Sequence, residues 1–147
     1  MNRLVPFLAA SMLFAFAACS NEDDVNTIFV GKTWQITSAT SDGETLSGDE
    51  IKELYTYSGT YCLTFTTSTF TGVLVSGSSV AGRWSADGDT RELRMSFTTA
   101  RQVDASTVSE TIYTILSNAT AYAGDQNTLT IKADSHNYVL LSSSATP

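Results

Sequence analysis

The stretch Thr60-Tyr61-Cys62-Leu63-Thr64-Phe65-Thr66-Thr67 alternates between large apolar side chains and small polar ones. Tyr61, Leu63 and Phe65 share one face, and Cys62 lies with the threonines on the other. A period of two residues is that of a β-strand with one face against a core. The stretch therefore predicts a half-buried strand with an aromatic inner face.

Strand signals of the same kind recur on both sides of this stretch. They predict strands at 30–38, 70–75, 80–86, 93–98, around Leu129 and Ile131, and at 138–141. The turn Asp87-Gly88-Asp89 is a hairpin signal. The chain contains 22 threonines, which are favoured in strands, and its two prolines, Pro6 and Pro147, lie outside the predicted strands.

Two helices are predicted from capping boxes, in which a Ser or Thr is followed three residues later by Glu. The first is Ser47-x-x-Glu50 and the second is Thr107-x-x-Glu110, with Thr107 as the expected N-cap. Apolar residues then recur at helical spacing, and the second helix should end near Asn118. These residues are Ile51, Leu54 and Tyr55 in the first helix, and Val108, Ile112, Ile115 and Leu116 in the second.

The predicted order is a strand, a short helix, four strands, a helix and two strands. Short turns between successive strands favour antiparallel pairing. The fold class is therefore mainly β with two short helices. Because closing a sheet hides its edges, we expect an antiparallel barrel or a strongly curved sheet. The second helix should lie on the sheet or over one mouth of the barrel.

The first residues form a leader with a basic start and an apolar run. Arg3 precedes the run Leu4 to Ala18, which is shorter than the ~20 residues of a membrane-spanning helix. The ending Phe16-Ala17-Ala18-Cys19 resembles the lipobox of bacterial lipoproteins. The resemblance implies that residues 1–18 are a signal peptide, that Cys19 is lipidated, and that the membrane is a partner through this anchor.

The residues after Cys19 are acidic. Ser20 to Asp24 is similar to the signal that exports some lipoproteins to the outer face of the outer membrane, and it also fits a plain solvated linker. The resemblance implies an outer membrane lipoprotein of the cell envelope. The expected organisation is a signal peptide at 1–18, a lipidated acidic tether at 19–28, one barrel domain at 29–142 and a flexible tail at 143–147.

Charge and residue types exclude several classes of function. The formal net charge is −7, and nucleic-acid binding requires clustered Lys and Arg instead. An acylated Cys19 leaves Cys62 with no disulfide partner. No nucleophile–base–acid set is visible, so no enzymatic activity is expected. We also expect no cofactor and no metal, since the single histidine, His136, lies in a predicted turn.

The strand pattern resembles the lipocalin-like small barrels of bacterial lipoproteins over residues 29–142. The resemblance rests on Gly31-x-x-Trp34, Tyr61-x-Leu63-x-Phe65, Gly82-Arg83-Trp84-Ser85 and the paired C-terminal strands. As a second choice, the ending from Glu110 to Leu141 is similar to the META-domain lipoproteins. Both families imply a lipid-anchored barrel and assign it no agreed chemistry.

Six aromatic residues form the candidate ligand site. They either line a cavity for a ligand or fill a dry core. The first alternative predicts non-catalytic binding of a small apolar or glycan-like ligand. The second predicts a structural or inhibitory module that binds another envelope protein. The six residues are Trp34, Tyr61, Phe65, Trp84, Phe97 and Tyr138.

Overall fold

The computed structural model of the chain describes residues 21–56, 58–74, 79–99 and 106–144. Within these ranges it contains three helices and nine strands. The helices are α1 (Asn21–Phe29), α2 (Gly48–Tyr55) and α3 (Thr107–Ser117). The strands are β1 (Thr33–Ser41), β2 (Glu44–Thr45), β3 (Cys62–Phe65), β4 (Thr69–Val73), β5 (Ser79–Ala86), β6 (Leu93–Phe97), β7 (Ala121–Gly124), β8 (Thr128–Asp134) and β9 (Asn137–Ser144).

Eight strands form one antiparallel sheet in the order β6-β5-β4-β3-β1-β9-β8-β7, while β2 pairs with β1 outside this path. The two edge strands meet over a short stretch. There Leu93 N donates to Thr120 O at 3.0 Å, and Tyr122 N donates to Arg91 O at 3.0 Å. The sheet is thus a nearly closed barrel, and the predicted mainly β class is confirmed.

The strand pairings define two ends of the barrel. β1 begins at end A with Thr33 and reaches end B with Ser41. End A carries the turns at 66–68, 87–91 and 125–127, which join β3 to β4, β5 to β6 and β7 to β8. End B carries the turns at 42–43 and 135–136, which are joined by a bond from Gly43 N to His136 O at 3.0 Å.

Helix α1 covers end A and belongs to the domain. Its residues Val25, Ile28 and Phe29 are 8%, 7% and 0% exposed and join the core. The expected tether at 19–28 is therefore wrong. The spacing i, i+3, i+4 gives the segment an apolar stripe that packs on the core, although the acidic residues before it are typical of a linker. Cys19 and the leader lie outside the described residues.

Helix α3 packs at end B, as its apolar spacing predicts. Val108, Ile112, Ile115 and Leu116 are all buried. Its N-cap is Ser106 and not Thr107: Ser106 Oγ accepts a hydrogen bond from Ser109 N at 3.1 Å. The predicted box of α2 is confirmed by reciprocal bonds between Ser47 and Glu50 of 2.9 and 3.3 Å.

Two stretches of sheet differ from the sequence prediction. The expected tail 143–147 begins inside β9, where Ser143 and Ser144 pair with Trp34 and Thr33 of β1. Residues 145–147 lie outside the described ranges. β7 falls partly in a predicted turn, and it is the strand that brings the sheet round to β6.

Candidate functional site

The barrel interior holds an aromatic cluster centred on Phe29 of α1. Its ring centroid lies 4.7 Å from that of Trp84, 5.0 Å from Tyr122 and 5.1 Å from Phe65. Trp34 and Phe65 are almost completely buried. Rings at these distances are in direct contact. The side chain of Phe29 therefore occupies the space that a ligand entering through end A would need.

The polar atoms of both indoles are bonded to backbone carbonyls. Trp34 Nε1 donates to Phe29 O at 3.2 Å, and Trp84 Nε1 donates to Thr66 O at 2.8 Å. Both donors are satisfied inside the protein, so each tryptophan is fixed in the wall. The first bond joins β1 to α1, and the second joins β5 to the turn at 66–68, both at end A.

Gly82 shows how closely the interior is packed. A Cβ atom placed there would lie 2.1 Å from Ser96 O and 2.8 Å from the Phe70 ring. Such contacts are far inside van der Waals distance, so only glycine fits at this point of β5. The close approach lets Phe70 reach Phe97 edge to face, with ring centroids 5.1 Å apart.

The structure separates one of the six predicted site residues from the rest. Tyr138 lies on the outer side of β9, because Val139 and Leu141 point into the core and successive residues alternate. Phe97 is half-buried and its ring lies 4.4 Å from that of Tyr113 on α3. Trp34, Tyr61, Phe65 and Trp84 are buried as expected.

A polar cluster that the sequence did not predict lies at end B. The Tyr61 hydroxyl donates to Glu53 Oε2, and Ser106 Oγ donates to the same oxygen at 2.5 Å. Tyr61 itself has φ of 56°, a left-handed conformation that costs non-glycine residues free energy. Because Glu53 is on α2 and Ser106 caps α3, the cluster joins the two helices.

The cluster is arranged as a structural latch. Ser106 Oγ also accepts the bond from Ser109 N, so its lone pairs serve the helix cap. Burial is the larger cause and the hydrogen bond to Glu53 the second, and together they raise the pKa of Tyr61 to about 12. The tyrosine therefore stays protonated and donates its hydrogen bond through the neutral range.

We expect the latch to lose its contribution to stability in alkaline solution. The pKa of a tyrosine in an unfolded chain is ~10, so the folded state holds this proton more tightly. The contribution is complete below about pH 10 and is lost as the pH rises toward about 12. Denaturant unfolding at several alkaline pH values measures the slope. The Tyr61→Phe variant should show a smaller slope, and equal slopes in the two proteins would contradict the latch.

Three surface grooves lie on the outside of the barrel. One of about 430 Å³ runs between α3 and the end-B turns, beside Glu110, Asn118 and Asp134. Another of about 640 Å³ lies between α1 and the end-A turns. The third, of about 490 Å³, follows the outer wall over β3, β4 and β5 beside Cys62. All three grooves are open to solvent on the surface.

The remaining polar candidates have structural partners. Asp87 Oδ1 accepts from Asp89 N at 2.8 Å, and Asp125 Oδ1 accepts from Asn127 N at 2.8 Å, so both carboxylates cap turns. Burial raises the pKa of the Cys62 thiol, which donates to Gln35 Oε1 at 3.1 Å. Across the described ranges, no group of three or more His, Cys, Asp or Glu residues could hold a metal ion.

Comparison with known proteins supports the fold. No curated protein matches the sequence. A solved DUF4847 family protein from Bacteroides vulgatus is 22% identical, with a TM-score of 0.68, over 84% of this chain and 99% of that one. The family model described as a domain of unknown function, DUF4847, matches residues 20–142, which include α1 and the barrel except for the last two residues of β9. The chain therefore belongs to the DUF4847 family.

Proposed function

We propose that the chain is a lipid-anchored protein of the bacterial cell envelope that acts through its outer surface. In this account the barrel is a lipocalin-like scaffold, and the protein is a structural or inhibitory partner of another envelope protein. The observation that carries the proposal is the position of Phe29, whose ring fills the interior among Phe65, Trp84 and Tyr122. A filled barrel leaves the outer wall and the two ends for binding.

The anchor is supported by the relation between the lipobox and the domain. Cys19 precedes the first residue of the family match by one position and the first residue of α1 by two. Among the described residues, no helix has the length and apolar character needed to cross a membrane. Several acyl chains on one cysteine hold a protein at a bilayer, since each buried methylene contributes ~0.8 kcal/mol. We propose the outer membrane as its location.

Cys19→Ala is expected to release the protein from membranes, because the variant loses the residue that carries the acyl chains. Labelling cells with a fatty-acid analogue and fractionating them measures both effects. Cys62→Ala is the matched control, since Cys62 lies in the barrel wall, and it should remain labelled and membrane-bound. Wild-type protein without label would refute lipidation.

Binding through the surface is tested by photocrosslinking in cells. Tyr55 and Leu140, which are 55% and 38% exposed, are the large apolar side chains that the described structure exposes most. A photoreactive amino acid at each position should give a discrete adduct with one envelope protein. The same positions in a Cys19→Ala chain should lose that adduct. Adducts that persist unchanged without the anchor would argue against an envelope partner.

A second candidate function is binding of a small apolar or glycan-like ligand inside the barrel. The Tyr122 hydroxyl favours it, because this atom is buried without a hydrogen-bond partner among the described residues. An unpaired buried hydroxyl costs free energy, and a ligand atom could satisfy it. Entry would require Phe29 to leave the cluster. This function therefore needs a conformation in which α1 has moved.

A further inference from the structure

We propose that end A of the barrel lies against the membrane and that end B faces away from it. The proposal rests on the lipidation of Cys19 described above and adds an orientation to it. A lipoprotein with a long flexible linker has no fixed orientation. In this chain, α1 begins two residues after Cys19, so no long linker separates the lipid from the domain.

The distance from the lipid to the domain is limited by covalent geometry. Asn21 is the first residue of α1, and only Ser20 separates it from Cys19. Consecutive Cα atoms are ~3.8 Å apart, so the Cα atoms of Cys19 and Asn21 are at most ~8 Å apart. The acyl chains must therefore lie close to the start of α1, whatever conformation Ser20 adopts.

The second half of α1 is fixed to the barrel by several independent contacts. Phe29 is completely buried, and its carbonyl accepts the indole bond of Trp34. Lys32 Nζ donates to Thr27 O at 2.7 Å and to Gln126 O at 3.3 Å, which joins α1 to the 125–127 turn of end A. Because the helix cannot swing freely, the anchor has a defined position on the domain.

That position is at end A. Val25 and Asn26 of α1 border the same groove as Ser68 and Gly88, which belong to the end-A turns 66–68 and 87–91. The opposite turns are one strand length away. β1 has nine residues at ~3.3 Å each, and a barrel tilt of ~35–45° places end B roughly 20 Å farther along the axis.

The charge of the connecting segment keeps the domain outside the bilayer. Glu22, Asp23 and Asp24 lie between the lipid site and the buried residues of α1. Carboxylates are strongly disfavoured in hydrocarbon, so this part of α1 rests at the headgroup level. End A is then held at the membrane surface, while the α3 groove and the turns at 42–43 and 135–136 face away from it.

The orientation is tested on the full-length lipidated chain in vesicles of phosphatidylcholine that contain nitroxide-headgroup lipids. Cys62→Ser provides the background, and single cysteines introduced by Ser68→Cys or Asn127→Cys (end A) and by Glu44→Cys or Ser135→Cys (end B) carry a fluorophore. We expect the end-A labels to be quenched several-fold more strongly than the end-B labels. Equal or reversed quenching would overturn the orientation.

A linker insertion provides the matched control. Fifteen Gly and Ser residues between Ser20 and Asn21 would span ~20 Å on average as a flexible coil. The insertion should remove the difference between the ends and leave membrane binding intact. A difference that survives the insertion would show that α1 does not set the orientation. Fatty-acid labelling of the same preparations separates a failure of this inference from a failure of lipidation.

Discussion

Phe29→Ala is expected to lower the free energy of unfolding by about 3–5 kcal/mol, the usual cost of truncating a buried aromatic residue. The reason is that Phe29 is completely buried and its ring contacts Phe65, Trp84 and Tyr122. Domains have a total stability of ~5–15 kcal/mol, so the loss is a large share. Chemical denaturation followed by tryptophan fluorescence measures it.

Thr27→Ala is the matched control for this prediction. Thr27 lies on the same helix but is exposed, and its replacement should change stability by less than about 0.5 kcal/mol. If α1 did not pack on the barrel, its side chains would contribute little to stability. A cost below about 1 kcal/mol for Phe29→Ala would therefore contradict the packing of α1 in the core.

Ile115→Asp is expected to prevent folding. Ile115 is a buried residue on the inner face of α3 at end B. The substitution removes apolar burial and leaves a carboxylate with no partner, at a cost of several kcal/mol that approaches the stability of the whole domain. Circular dichroism and size-exclusion chromatography should show an unfolded or aggregated chain.

The neighbouring residue on α3 supplies the control. Thr114 is exposed, so Thr114→Asp introduces the same carboxylate one position away and should leave the fold unchanged. If Ile115→Asp folds with the wild-type melting temperature, the inner face of α3 is not core. That face would then be an interaction surface, and binding to an envelope partner should be measured with this variant.

The strands that the sequence predicts correctly are those with a strict alternation. The stretch containing Leu63 and Phe65 and the stretch from Leu93 to Phe97 each have one apolar face. The structure buries that face, with Phe97 half-buried at its end. The sequence predicts a turn over part of β7 because Ala121–Gly124 carries no β-branched residue. Its place in the sheet depends on pairing with β8, which local propensity does not report.

Two errors arise where adjacent residues offer equivalent signals. Tyr138, Val139, Leu140 and Leu141 are all apolar, so a period of two does not decide which pair faces inward, and Tyr138 proved to lie outside. Ser106 and Thr107 are both good N-caps. In the structure Ser106 is the N-cap, and its hydroxyl also donates to Glu53 on α2. That bond joins residues far apart in the sequence.

The sequence predicts which aromatic residues lie in the barrel interior, but it does not predict whether that interior is open or filled. The aromatic residues of the strands were assigned to the interior, yet whether they enclose a cavity depended on Phe29. That residue comes from a segment whose acidic start, Asn21 to Asp24, is typical of a linker. Only the spacing of Val25, Ile28 and Phe29 indicated a buried helix, and three residues are a weak signal.

Aromatic side chains fill the barrel interior, and we propose that the protein acts through its surface. The most direct test is a titration of the purified chain with a fluorescent apolar probe, 1-aminoanthracene. The reference is the Phe29→Ala variant, whose melting temperature is measured with and without added benzene. Apolar cavities in protein cores bind benzene, so benzene should raise the melting temperature of Phe29→Ala and leave the wild type unchanged. We expect no saturable probe binding to the wild-type chain. Saturable one-to-one binding to the wild type would contradict it and would favour the ligand-binding function.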